Sequence, residues 1–371
     1  MKQFKKALII FLILAISAVG CKISKKSDNE VLFDSMISFW ILVSLSNSIT
    51  CTNTGTNHYF GTATGYDQTT VYLRSADGSC WEKYSGTGPT VKYSATGTNI
   101  SVTTDGSKPE IYYTTDGQTY TKATTPTFTG YVADLKFFNG AFYAALSDST
   151  VKILTSTDGK TWTKPANNLL TLSWVGKVTG YANGGTNYLL ATANSSTCPI
   201  LNRSTDGGAT WTASGTCVWA GSYAISSLMS GNSTVIGFDI TGQMLKSTDH
   251  GTSFTQTYPL SGRISSNNIL NGLGFFSGKF FVQGYRNSVG YPVFTSTDGS
   301  TWTEIAATNF VGSTNVTLMN NVVLGAGNRL VSPVYYSDDG GTSWKKSTGY
   351  KEVLSGGAYI TLTPTHVIYI P

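Results

Sequence analysis

Seven copies of one short turn punctuate this 371-residue chain, and their spacing constrains its fold more than any other feature. The central copy, Ser204 to Trp211, reads STDGGATW. Its short polar side chains can bond nearby backbone N–H groups, its glycines accept a left-handed backbone, and Trp211 supplies a large apolar surface. β-Branched and aromatic residues flank it, so a strand enters the turn and another leaves it. The other copies are SADGSCW (from Ser75), TTDGQTY (Thr114), STDGKTW (Ser156), STDHGTSF (Ser247), STDGSTW (Ser296) and SDDGGTSW (Ser337). Their aspartates, Asp77, Asp116, Asp158, Asp206, Asp249, Asp298 and Asp339, are separated by 39, 42, 48, 43, 49 and 41 residues.

An interval of that length holds a four-stranded antiparallel meander. Before and after Asp158 the strands read as Ala133–Phe138, Ala141–Ser147, Val151–Thr155 and Trp162–Lys164. Seven such units predict an all-β chain, a seven-bladed β-propeller of four-stranded antiparallel blades over residues 51–371. Ring closure requires a strand from the C-terminus, because Cys51–Asn57 makes a poor first strand before His58–Thr64. Ala358–Leu362 stands at the expected distance after Asp339 to supply it, which leaves His366–Ile370 as a surplus strand, absorbed by a five-stranded closing blade or an eighth partial one.

The N-terminus predicts export. Lys2, Lys5 and Lys6 precede an apolar run, Ala7–Val19, too short to span a bilayer comfortably, which ends in small residues before Cys21. Residues 1–20 read as a signal peptide and Ala18-Val19-Gly20-Cys21 resembles a bacterial lipobox, which makes Cys21 the lipidated residue and the membrane a partner. Residues 21–50 read as a polar tether and a short apolar segment, Val31–Leu45, taken as a packed element or a second membrane contact. The expected location is the outer membrane, on its periplasmic side or at the cell surface. Charged residues make up only 12% of the chain, which suits a turn-rich exported protein. Taking the three leader lysines from the net charge of +5 leaves +2, so no nucleic-acid surface is indicated. Cys198 and Cys217 lie symmetrically about the central turn and are candidates for a disulfide across it. Cys51 and Cys80 lack that symmetry, and the sequence leaves their pairing open.

The turn is the SxD(x)GxTW pattern, and from residue 51 onward the chain resembles the Asp-box, or BNR-repeat, propellers. That family includes sialidases, xyloglucanase-type glycoside hydrolases, sortilin-like receptors and photosystem assembly factors. The resemblance implies that the Asp-box joins the third strand of a blade to the fourth, on the face away from the usual binding site, and that the seven aspartates are structural. Ligands then belong to the opposite face, on loops joining second to third strands and blade to blade.

Those loops offer a sparse set of candidates. Asp67, Asp105, Asp134, Asp148, Asp239 and Glu352 are the acids from which a glycosidase would draw its pair. Arg263, Arg286 and Arg329, with Tyr285 and Tyr291 near them, are the cations and phenols a sialidase-like site would use, though the chain has only five arginines and no Arg-Ile-Pro motif. Trp174 and Trp219 are either sugar-stacking platforms or blade packing. The histidines, His58, His250 and His366, have no metal-ligand spacing, and no nucleophile elbow or phosphate loop is present. No catalytic residue, metal or cofactor is assigned. The sequence therefore favours a monomeric, membrane-anchored binding or scaffold protein whose ligand is a glycan or protein, with a glycoside hydrolase or a periplasmic assembly factor as alternatives.

Overall fold

The computed structural model describes residues 56, 58–150, 152–165, 175–194, 199–213, 225–239, 243–264, 271–287, 290–312, 316–317, 319–353 and 359–371. The chain divides into two units, Met1–Thr50 and Cys51–Pro371, and every described residue lies in the second. Cys21, the tether, Trp174, Trp219, Cys51, Cys198 and Cys217 fall outside the described residues. Cys80 is disulfide-bonded.

The second unit is an all-β propeller of seven blades, with two single-turn 3-10 segments as the only helices among the described residues. Blade 4 shows the plan: Val175–Asn183, Thr186–Asn194, Pro199–Ser204 and Thr212–Ala213 lie side by side in chain order, each antiparallel to the next. Blades 2, 5 and 6 repeat it. In blade 3 the fourth strand is reduced to Thr163, which exchanges two 2.9 Å backbone hydrogen bonds with Thr155. Blade 7 gains a fifth strand on its outer edge, Phe310–Val311, running parallel to Trp344–Lys346.

Blades are held together face to face. Among the described residues the buried apolar side chains form seven clusters, one at each blade interface. Ala95 and Val102 of blade 2 meet Phe142 and Leu154 of blade 3, for example. Phe60 and Ile368 of blade 1 meet Val91 and Tyr120 beside blade 2. Burying one such side chain stabilises by about 1.5–3 kcal/mol, and a lone blade would expose both of its faces. The ring is thus the smallest unit in which these residues are all buried.

Closure differs from the expectation drawn from the sequence. The innermost strand of blade 1 is His366–Tyr369, which pairs antiparallel with Tyr59–Thr64 in the register Thr62 to His366 and Tyr59 to Tyr369. Tyr359–Leu362 instead forms a two-stranded hairpin with Tyr350–Val353 outside the blades. The physical reason lies in burial on both sides. An innermost strand is packed between two neighbouring blades, so consecutive residues must be apolar, and Val367 and Ile368 are both fully buried. Thr361 is exposed while Leu362 is buried, the alternation of a strand with one wet face.

The repeated turns are built alike. In blade 3 the Ser156 hydroxyl accepts the Gly159 N–H at 2.8 Å and donates to Asp158, whose Oδ1 also accepts the N–H groups of Lys160 and Thr161 at 2.8 Å. Trp162 donates its indole N–H to the Gly159 carbonyl and is buried against the neighbouring blade. In blade 6 the N–H groups of Thr301 and Ser300 hold the Asp298 carboxyl down at about 2. Because that folded-state value is depressed from 3.8, its stabilisation is present above pH 3.8 and disappears as pH falls through about 2. Asp116, Asp158, Asp206, Asp249 and Asp339 are shifted in the same direction. Acid titration of the unfolding midpoint should show a decline through this window, and Asp298→Asn should be less stable at neutral pH with a shallower decline. Asp298 is exposed, so solvent screening keeps its individual share small.

Candidate functional site

Strand direction assigns the two ends of the ring. The hairpin after the innermost strand in blades 2 to 7 and the repeated turn after each third strand lie at one end, the turn face. Connections between second and third strands, and from blade to blade, lie at the other, the loop face. The innermost strands therefore all run from the loop face to the turn face. They enclose an axial channel of about 840 Å³ to which every blade contributes.

Four successive blades carry a register shift near the loop-face end of the innermost strand, between Val132 and Asp134, Val175 and Lys177, Ile225 and Ser227, and Gly272 and Gly274. An extra residue at such a point bends the strand and re-aims the next side chain. Asp134 and Lys177 are those next residues in blades 3 and 4, and both line the channel. Asp134 is buried and accepts hydrogen bonds from the Leu135 N–H at 3.0 Å and, across the blade interface, from the Val178 N–H at 3.1 Å. Its Oδ1 lies 3.4 Å from Lys136 Nζ.

Two more cations converge there. Lys92 Nζ lies 5.5 Å and Lys177 Nζ 5.3 Å from the centroid of the Tyr93 ring. Burial holds the Lys177 ammonium below its ordinary pKa, opposed by Asp134 and reinforced by Lys136 and Lys92. Burial, with the charge of Lys92, also pushes His366 down to about 4, so its imidazole is neutral at neutral pH. The Nδ1 atom of His366 is buried with no hydrogen-bond partner. Blades 5 to 7 complete the wall with small or neutral residues, among them Ser226, Ser230, Gly272, Asn320 and Asn321. Phe137, Phe138, Phe275 and Phe276 lie toward the turn face.

Of the six loop acids, Asp134 lines the channel and the other five are occupied elsewhere. Asp67 accepts the N–H and hydroxyl of Thr69, and Asp105 those of Ser107. Asp148 accepts the N–H groups of Thr129, Gly130 and Thr150, and Asp239 that of Gln243. Glu352 accepts the Tyr66 N–H at 2.9 Å. Asp67 and Glu352 do approach one another: each places an oxygen 3.2 Å from where a Cβ on Gly65 would stand. Thr69 holds the Asp67 carboxyl below its ordinary pKa, the opposite of what a general acid requires. Among the described residues no group of three or more His, Cys, Asp or Glu side chains is arranged to hold a metal ion.

The candidate arginines separate. Arg286 forms a bidentate pair with Glu304, and its guanidinium also donates to the Arg263 carbonyl at 3.4 Å. Arg263 lies 4.7 Å from the Phe294 ring centroid and donates to the Trp302 carbonyl. Tyr285 packs on Tyr291 in the same loop region, with centroids 5.2 Å apart. Arg329 does not join them. It lies just after the hairpin that ends the innermost strand of blade 7, on the turn face, where it pairs with Asp77 and Asp338 and sits over Tyr336. In sequence that hairpin resembles a loop-face connection, because the strand before it, Val323–Leu324, is only two residues long. Lys92, Lys136, Lys177 and Tyr93 are not among the sequence candidates. The available signal is a lysine in or just before each of three consecutive innermost strands.

No protein-family model and no curated protein matches this chain. Solved structures do. The xyloglucanase of family GH74 from Xanthomonas campestris superposes with a TM-score of 0.54 at 11% identity, over 83% of this chain and 56% of that one. A GH74 enzyme from Niastella koreensis gives 0.50 at 18% identity, over 85% and 56%. YCF48 bound to a D1 peptide gives 0.48 at 13% identity, over 76% and 93%. The chain thus spans just over half the length of the two GH74 proteins. At these identities the likeness is one of fold, and the fold shared with the GH74 structures is the β-propeller.

Proposed function

We propose that this protein is an exported binding protein, anchored through a lipidated Cys21, whose ligand enters the axial channel from the loop face. The observation that carries the reading is the convergence of Lys92, Asp134, Lys136 and Lys177 at one end of a channel of about 840 Å³, a volume within the range of small-ligand sites. The basic leader, the lipobox-like sequence and the seven Asp-box turns support export and a rigid scaffold on which such a site is displayed. A glycoside-hydrolase reading has one observation in its favour, the approach of Asp67 and Glu352 across Gly65. It has less support, because both carboxylates already accept backbone N–H groups, Asp67 from Thr69 and Glu352 from Tyr66, and neither lines the channel.

Glycan and peptide arrays probed with the full chain test the binding reading. Ser94 lines the channel and is half-buried, and its hydroxyl makes a long, 3.5 Å bond to the Val367 carbonyl. Ser94→Trp should therefore fill the channel mouth and abolish capture of any array ligand without lowering the unfolding midpoint by more than a few degrees. Capture that persists in a folded Ser94→Trp variant would place the site elsewhere.

A further inference from the structure

We propose that the loop-face mouth of the channel recognises a small ligand through one anionic group, a carboxylate, sulfate or phosphate, held by Lys92 and Lys177. The proposal rests on the channel as the binding site and narrows what enters it.

The charges on the wall are unbalanced. Three lysines and one aspartate line the channel, all of them at or on the innermost strands of blades 2 to 4. Asp134 is committed to two backbone N–H groups and to Lys136, so it offsets one ammonium. Lys92 and Lys177 face the same Tyr93 ring, and among the described residues neither forms a salt bridge; Lys177 has only the longer-range field of Asp134, which is already paired with Lys136. A cation over an aromatic face gains less than one paired with an anion, so this arrangement positions two ammoniums without satisfying them. An anion placed between them would relieve their mutual repulsion and repay the desolvation that already lowers the Lys177 pKa.

The opposite wall explains why one anionic group suffices. Ser226, Ser230, Asn320 and Asn321 are neutral, so the field points across the channel from blades 2 to 4 toward blades 5 to 7. A ligand with its charge at one end and hydroxyl or amide groups at the other fits that polarity. A dense polyanion would meet a neutral wall over half its surface and the buried charge of Asp134 on the other.

The test is calorimetric titration of the full chain with sodium glucuronate, inorganic sulfate and, as the uncharged counterpart of the first, glucose. Glucuronate and sulfate should bind with an affinity that falls as sodium chloride rises, and glucose should bind at least about tenfold more weakly than glucuronate. Lys92→Ala with Lys177→Ala should cost about tenfold or more in glucuronate affinity, Lys92→Arg with Lys177→Arg should retain most of it, and the exposed Lys345→Ala should change nothing. If the double alanine variant fails to fold, acetylation of the unaltered chain gives the same answer: glucuronate should slow modification of Lys92 and Lys177, and glucose should not. Equal binding of glucose and glucuronate, no anion binding, or unprotected lysines would overturn the proposal. Neutral array ligands whose capture is lost in Ser94→Trp would overturn it while leaving the channel reading intact, and anion binding that survives both Ser94→Trp and the lysine substitutions would overturn both.

Discussion

A chain ending at Thr363 should lose its cooperative unfolding transition and aggregate at physiological temperature, the largest effect expected of any change this small. The missing residues supply the innermost strand of blade 1. Val367 and Ile368 are fully buried and Ile370 is nearly so; at about 1.5–3 kcal/mol each, their loss alone approaches the total stability of an ordinary domain, about 5–15 kcal/mol. The strand is also bracketed by polar contacts from both neighbours. Asn321 of blade 7 accepts the Val367 N–H at 3.0 Å and donates to the Val367 carbonyl at 2.8 Å, while Thr96 and Ser101 of blade 2 donate to the Tyr369 carbonyl at 3.0 and 2.8 Å. Without it, Tyr59–Thr64 becomes a free edge, a template for pairing with other chains. Val367→Pro gives the same test by a single substitution, since it deletes the N–H that Asn321 accepts and should cost about 3 kcal/mol or more. Thr361→Pro, on an exposed position of the outer hairpin, should cost far less. Urea unfolding monitored by circular dichroism separates the three, and a truncated chain with the full-length transition would refute closure by His366–Tyr369.

The contrast between these two C-terminal strands also shows what kind of information the sequence carries. The seven turns are legible because their chemistry is local: Ser, Asp and Gly within five residues satisfy one another whatever surrounds them, and Trp or a smaller aromatic marks the start of the next strand. Strand limits such as Ala141–Ser147 are legible for the same reason, and they recur unchanged in the structure. Which C-terminal strand closes the ring depends on packing between blades more than 270 residues apart in sequence, as in the Val367 contact with Ser94, so counting residues from Asp339 cannot decide it. The channel cations are hidden in the same way. Lys92, Lys136 and Lys177 meet only once three blades are arranged around the axis and the bulges at Val132 and Val175 have turned Asp134 and Lys177 toward it. Arg263 and Arg286, the candidates that do come together, are tied to Trp302 and Glu304 at the outer edge of blade 6 and do not line the channel.

Gly78→Ala should destabilise the protein by about 2–5 kcal/mol, the sum of a left-handed backbone, which costs a residue with a Cβ about 1–2 kcal/mol, and of overpacking, which costs about 1–3 kcal/mol. Gly78 has φ +77°, and a Cβ there would stand 2.5 Å from both methyl carbons of Val331 in blade 7. The glycine of this turn is therefore the flat surface against which the last blade packs the first, on the same ring joint that His366–Tyr369 closes from the inside. The corresponding glycines in blades 5 and 6, Gly251 and Gly299, meet Leu190 and Ile236 of the preceding blade in the same manner, so the turn serves the interface as well as the hairpin. Gly262 separates the two contributions. It has a similar backbone, φ +72°, but no atom within 4 Å of its Cβ position, so Gly262→Ala should show the backbone cost alone. If overpacking is the larger part at Gly78, then Val331→Ala, destabilising by itself through the cavity it leaves, should cost less in the Gly78→Ala background than in the parent chain, and the double-mutant cycle should return a favourable coupling of about 1 kcal/mol or more. Equal costs for Gly78→Ala and Gly262→Ala, with no coupling to Val331, would mean that the repeated glycine is selected for its turn alone and that the blades meet without using it.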